Sequence, residues 1–370
     1  MVWFNAASVG ETQSILPLVS ELLRASPKVN VLITSTTGTS ARLLEKTVSS
    51  RVIHQMTPYD TAKASRAFLQ HWRPDVAIWI ESELWPRMLS EVGVRSIPKL
   101  YLNARVSART IRSWTQFPTT TRAVLSSFNT IHVQELATYN ALSAIGISGP
   151  KVVLTGSLKK DCPPLECNSG ELSRLRAAIG NRPVWCAAST HLGEDSIVLG
   201  AHQSHGGLLI LVPRHPERAA AVQDLCVSAG FVTARRSAGE AITPSTQVYV
   251  ADTIGELGLW YRLASISFIG GSLVPVGGHN PYEPAQLGSA ILHGPYVANF
   301  ASIYAELDQV GGARTVHDTK TLCEGLALNK KAQMDMTAAA RLALEDSKGA
   351  TDAALKEIIE NLSKKMDQFE

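Results

Sequence analysis

The chain has 370 residues, more than one hydrophobic core ordinarily serves and about right for two α/β domains. Hydrophobic residues make up 45% and charged residues 18%, which excludes bulk disorder, and a net charge of +3 is too mild for a general nucleic-acid binder. Five scattered cysteines (Cys162, Cys167, Cys186, Cys226, Cys323) without a Cys-x-x-Cys pair indicate neither a zinc site nor a disulfide framework and fit a reducing compartment.

Short apolar runs at 2–7, 30–34, 51–54, 75–80, 98–102, 130–133 and 151–155 alternate with amphipathic stretches such as 13–25, 60–71 and 134–145. Continuous apolar strands separated by helices mark a parallel sheet covered on both faces. Residues 156–170 hold two prolines, two glycines and no apolar period, which predicts a linker. The alternation restarts with runs at 183–188, 207–212, 230–234, 247–252, 265–270 and 289–294, and 328–364 reads as helical throughout. The expected fold is α/β: two Rossmann-like, doubly wound domains facing across a cleft, over 1–155 and 171–345, followed by a terminal helix over 346–370. Ligands in such sheets bind beyond the carboxyl ends of the strands.

The first βα turn, 7-ASVGE-11, ends in a carboxylate that would repel phosphate. Glu11 is suited either to taking a proton from a substrate hydroxyl or merely to favouring the helix dipole. After the fourth run, Glu81 and Glu83 form an acidic pair ahead of Pro86, which fits a helix start; capping by Ser82 and Glu83, with Glu81 in an ion pair, is the plain alternative. Arg105, Arg109 and Arg112 recur at spacings of four and three, so on a helix they share one face, for an anion or for solvent.

In the second half, Arg214 and His215 end an apolar run, and 251-ADTIGEL-257 opens a helix with Asp252 or Thr253 as cap. The segment 270-GGSLVPVGGHNPYEPA-285 has two glycine pairs before a helix carrying Asn280 and Glu283. That pattern fits close backbone approach to a nucleotide, N–H donors for phosphate and a carboxylate for ribose. His202 and His205 have metal-like spacing but no nearby carboxylate or cysteine partner, and read as surface residues. No Asp-x-Asp occurs, which weakens any scheme with a metal-bridged diphosphate.

Taken in order, Ser8-Val9-Gly10-Glu11, Glu81-Ser82-Glu83-Leu84-Trp85-Pro86, Asn103-Ala104-Arg105, Gly156-Ser157-Leu158-Lys159, Pro213-Arg214-His215-Pro216-Glu217-Arg218, Asp252-Thr253-Ile254-Gly255-Glu256-Leu257 and Gly277-Gly278-His279-Asn280 resemble the bacterial 3-deoxy-D-manno-octulosonic acid (Kdo) transferases. The resemblance implies a GT-B fold and metal-independent, inverting transfer of Kdo to a lipid A precursor (lipid IVA). CMP-Kdo is then a substrate, and no cofactor is expected. It implies Glu11 as general base and Glu81 and Lys159 as groups assisting the transition state. The donor site would comprise Pro213, Arg214, Ile254, Gly255, Glu256, Asn280, Pro281, Tyr282 and Glu283. Arg105, Arg109 and Arg112 would then meet the acceptor phosphates. Family members carry an N-terminal apolar anchor that is not in this sequence, which implies either a shortened chain or peripheral attachment at the cytoplasmic face of the inner membrane. Two other readings remain: a GT-B nucleotide-sugar epimerase, and a non-catalytic lipid- or nucleotide-binding module.

Overall fold

The computed structural model describes residues 1–47, 49–81, 84–106, 108–149, 151–345 and 349–366. The chain divides into two compact units, Met1–Pro163 with Ser347–Glu370, and Pro164–Asp346.

The first unit is built on β1 (Val2–Asn5), β2 (Val31–Ser35), β3 (Val52–Met56), β4 (Val76–Ile80), β5 (Lys99–Ala104), β6 (Thr130–Val133) and β7 (Val152–Leu154). They form one parallel sheet in the order 3-2-1-4-5-6-7. Both faces are buried, which is why the strands read as continuous apolar runs: Val2 and Phe4 pack on one side and Trp3 on the other. The chain winds outward in both directions from β1, so the topological switch lies between β1 and β4.

The second unit repeats the plan with β8 (Val184–Thr190), β9 (Leu208–Pro213), β10 (Thr233–Arg235), β11 (Val248–Val250), β12 (Ile266–Ile269), β13 (Ala290–His293) and β14 (Ala313–Thr315). Its parallel sheet has the order 10-11-9-8-12-13-14, with the switch between β8 and β12. The edge strand β14, Ala-Arg-Thr, has no apolar run and is absent from the sequence-based reading.

Two expectations are corrected here. The stretch 328–364 is not helical throughout: it divides into Lys330–Glu345 and, near the expected start of the terminal helix, Ala350–Met366, with Gly349 ahead of the second at φ 118°. Met336, Ala340 and Leu344 of the former join the second unit's core, whereas Ala350, Ala354 and Ile358 of the latter join the first. Asp161 holds this return in place by accepting the N–H groups of Gly349 (3.2 Å) and Thr351 (2.6 Å). His202 is not a surface residue either. It is 2% exposed, takes a hydrogen bond from the Trp185 indole at Nδ1 (3.2 Å) and meets the Gln247 carbonyl through Nε2 (3.0 Å). Burial pushes its pKa down to about 4, so it is a neutral core group. No helix among the described residues is long and apolar enough to cross a membrane.

Candidate active site

In the first unit the turn after β1 starts the helix Val9–Ala25, with Ser8 as its N-cap. The Ser8 hydroxyl accepts the Glu11 N–H at 3.2 Å, and the Glu11 carboxylate reaches back to the Ala7 N–H (2.8 Å) and the Ser8 hydroxyl (3.3 Å). This is close to a reciprocal capping box, displaced by one residue. It leaves Glu11 6% exposed at the carboxyl end of β1, a carboxylate taken out of water but kept in hydrogen bonds.

Glu81 follows β4, the other strand of the switch. It stands at φ 56°, a left-handed conformation that is unfavourable by about 1–2 kcal/mol for a side chain of this kind. Its carboxylate takes the Lys159 ammonium at 2.5 Å and the Asn103 amide at 3.2 Å, which fix the strained residue in place. Asn103 is itself left-handed, also at φ 56°, in an irregularity of the β5–β6 pairing between Tyr101 and Ala104. Its Oδ1 accepts the Leu158 N–H (3.0 Å), and its carbonyl accepts the Gln134 amide (2.7 Å). Asn103 therefore ties the turn that bears Lys159 to the ends of β4 and β5. Sequence reasoning gave it no role, because its partners come from three distant segments. The buried Tyr101 phenol donates to the Glu81 carbonyl, and its pKa is raised by burial and then by the charges of Glu81 and Glu11. Both carboxylates thus act electrostatically on one place. Ser82 and Glu83 lie outside the described residues.

The arginine face does not form as expected. The helix begins at Ala108, and Arg105 precedes it, between the end of β5 and the helix. Val106, also ahead of the helix, is 6% exposed and gives its N–H to the Thr138 hydroxyl (3.2 Å). Arg112 is exposed on the helix Ala108–Gln116, and the side chain of Arg109 lies outside the described residues.

In the second unit the predicted donor residues fall on the carboxyl side of β9, β11 and β12. Pro213 ends β9, and Arg214 is exposed, with its N–H on the Thr190 carbonyl (3.0 Å). Ile254 is 80% exposed beside Gly255, which stands at φ 90° with open space where a side chain would be. The following helix starts only at Leu257, with Glu256 in the cap position, so neither Asp252 nor Thr253 caps it. Asp252 instead accepts the Ser237 N–H (2.9 Å) and hydroxyl (2.6 Å), while Thr253 donates to Glu256. Arg236 pairs Glu256 with Glu171 and lies over the Trp260 ring at 5.5 Å, a clamp with no local signature because its members come from separate segments. Hydrogen bonds from Arg236 hold the Glu256 carboxyl below its ordinary range.

Pro281 precedes the helix Tyr282–Leu287, and Asn280 bridges its start, accepting the Tyr282 N–H (3.0 Å) and donating to Glu283 (3.1 Å). Burial pushes the Glu283 carboxyl up to about 7, against the Asn280 amide, which lowers it.

The glycine-rich loop brings backbone donors to a buried carboxylate. The N–H groups of Gly271 (2.7 Å), Ser272 (2.9 Å) and Leu273 (2.8 Å) all point at the carboxylate of Glu194, which also takes the His191 N–H (2.8 Å). Glu194, 0% exposed, fills the nest formed by these N–H groups. Gly270 is a glycine because a side chain there would stand 2.5 Å from the Ser189 carbonyl, and Gly277 because its φ is 107°. Beside this loop, His191 and His279 face each other with Nε2 atoms 2.8 Å apart and rings 9° from parallel, and His215 meets His191 edge-on. Nothing local to Glu194 or His191 in the sequence announces these contacts, since their partners lie about 80 residues onward.

Two doubly wound parallel sheets, with ionisable groups gathered at both switch points, define an enzyme of the GT-B class. The fold is shared with a glycosyltransferase from Rickettsia africae (TM-score 0.62, 13% identity, covering 99% of this chain and 98% of that one). It is shared equally with the UDP-GlcNAc 2-epimerase of Neisseria meningitidis (TM-score 0.64, 14% identity, 98% and 99%). At these identities the likeness concerns the fold alone. Sequence comparison is more specific. Residues 1–162 match the family model described as 3-Deoxy-D-manno-octulosonic-acid transferase (kdotransferase). The 3-deoxy-D-manno-octulosonic acid transferase of Haemophilus influenzae is 33% identical, covering 96% of this chain and 85% of that protein. That of Rickettsia felis is 35% identical, covering 80% of this chain and 64% of that protein. The chain belongs to the 3-deoxy-D-manno-octulosonic acid transferase family and is a glycosyltransferase.

Proposed function

We propose that this protein transfers Kdo from CMP-Kdo to a lipid A precursor, lipid IVA, by an inverting displacement, working peripherally at the cytoplasmic face of the inner membrane. The observation that carries the reading is the placement of Glu11 and of the Glu81–Lys159 ion pair at the ends of β1 and β4, the two strands of the first switch point. In this scheme Glu11 accepts the proton of an acceptor hydroxyl as that oxygen bonds to the anomeric carbon of Kdo. The bond from that carbon to the phosphate oxygen breaks, and its electron pair leaves with CMP. Glu81 and Lys159 assist the transition state, and Arg214 supplies fixed positive charge to the departing phosphate. Pro213, Arg214, Ile254, Gly255, Glu256 and Asn280 to Glu283 hold the donor, and Arg105, Arg109 and Arg112 meet the acceptor phosphates. The transfer needs no metal or cofactor in this reading.

The test is a transfer assay with CMP-Kdo and lipid IVA, read by mass spectrometry, on wild type and Glu11→Gln. Glutamine keeps an acceptor for the Ala7 N–H and so leaves the helix cap intact. Loss of a general base predicts a fall of roughly 10²–10⁴-fold in turnover. Turnover within a few fold of wild type would remove Glu11 from this role.

A further inference from the structure

At the second switch point, the loops after β8 and β12 bring two imidazoles together. His191 and His279 approach to 2.8 Å between Nε2 atoms, with ring centroids 5.1 Å apart. The contact is built, not incidental. Gly271, at φ 64°, lies under both rings, and a Cβ there would stand 3.0 Å from His279 and 3.3 Å from His191. The Glu194 carboxylate takes the N–H groups of both His191 and Gly271, and the Tyr304 hydroxyl holds the His279 carbonyl at 2.9 Å. We infer that His191 and His279 act as one proton-accepting unit for the anionic group of the donor nucleotide, taking up a single proton from solvent when that anion binds. This rests on the donor reading above.

The chemistry follows from the shared hydrogen bond. Two neutral imidazoles joined Nε2 to Nε2 present one Nδ1–H donor and one Nδ1 acceptor. A single added proton keeps the shared bond and turns both Nδ1 atoms into donors, while a second would leave no lone pair between the rings. The groups facing the pair are Arg214, Arg218 and His215 from the end of β9, which disfavour protonation, and Glu194, which favours it. Burial first, and the neighbouring positive groups after it, hold both rings below the usual histidine range, His279 at about 4. The phosphate of the donor, a monoanion in CMP-Kdo and a dianion in CMP, offsets the neighbouring positive groups when it arrives beside Arg214, and the pair's proton affinity rises.

The experiment is calorimetric titration of the full chain with CMP at pH 7.5, in two buffers of different ionisation enthalpy, for wild type, His279→Gln and His191→Gln. Wild type should take up a fraction of a proton per CMP bound that grows as the pH is lowered from 7.5, with affinity falling as pH rises, by less than about tenfold per pH unit. Each variant, with a melting temperature near wild type, should bind CMP more weakly and take up none. CMP binding without proton uptake in wild type, or with equal uptake in all three proteins, overturns the inference and leaves the donor reading standing. No CMP binding at all overturns both.

Discussion

Replacing Glu194 by glutamine tests whether its carboxylate organises the second switch point. Oε1 accepts from Ser272 (2.9 Å) and Leu273 (2.8 Å), and Oε2 from His191 (2.8 Å) and Gly271 (2.7 Å). Glutamine retains one accepting oxygen and turns an NH₂ group toward the other two N–H donors. Two bonds to a charged acceptor are lost, each contributing about 1.5–3 kcal/mol, so the loop should be destabilised by about 3–6 kcal/mol. The side chain is 0% exposed, so water cannot replace the lost acceptor without opening the loop. Hydrogen exchange read by mass spectrometry at 270–274 measures that opening directly. Protection there should fall by at least roughly a hundredfold, while the first unit keeps its protection. Protection within about threefold of wild type would refute the reasoning and make Glu194 a passenger in a loop shaped by its glycines.

His202 gives a pH test. Its folded pKa of about 4 lies below the ordinary 6.5, so the unfolded chain binds the proton first. The stability concerned is fully present above about pH 6.5 and is lost as pH falls toward 4, about 3 kcal/mol over the whole window. Urea unfolding of His202→Gln at pH 7 and pH 5 should show a shallower acid loss than wild type, and parallel losses would contradict it. Asp161→Ala removes the acceptor for Gly349 and Thr351, a cap contribution of about 1 kcal/mol. Exchange should quicken in 350–358 and not in the second unit, and unchanged exchange in that helix would argue against the tether.

Much of this protein could be read from periodicity. Thirteen strands announce themselves as apolar runs because parallel sheets buried on both faces need side chains that are apolar on both sides. The exception, Ala313–Thr315, pairs only with β13 at the sheet edge, and edge pairing requires no apolar run. Glu11 and Glu81 were visible as carboxylates at strand ends, since position after a strand is a local property. Their surroundings were not. That Lys159 pairs with Glu81, and that Asn103 links them, depends on β4 and β5 lying side by side and on the turn after β7 returning to their ends.

The glycine-rich segment makes the same division within one loop. Its composition by itself indicated a backbone that must pass close to something. What it passes, the Ser189 carbonyl and the His191 ring, is set by the neighbouring strand, and its N–H groups go to a carboxylate nearly 80 residues earlier. Local sequence determined which segments are strands, helices and turns, because burial pattern and backbone freedom act over a few residues. Only the tertiary structure decided which charges meet at the two switch points, because those pairings join strand ends that the chain itself keeps far apart.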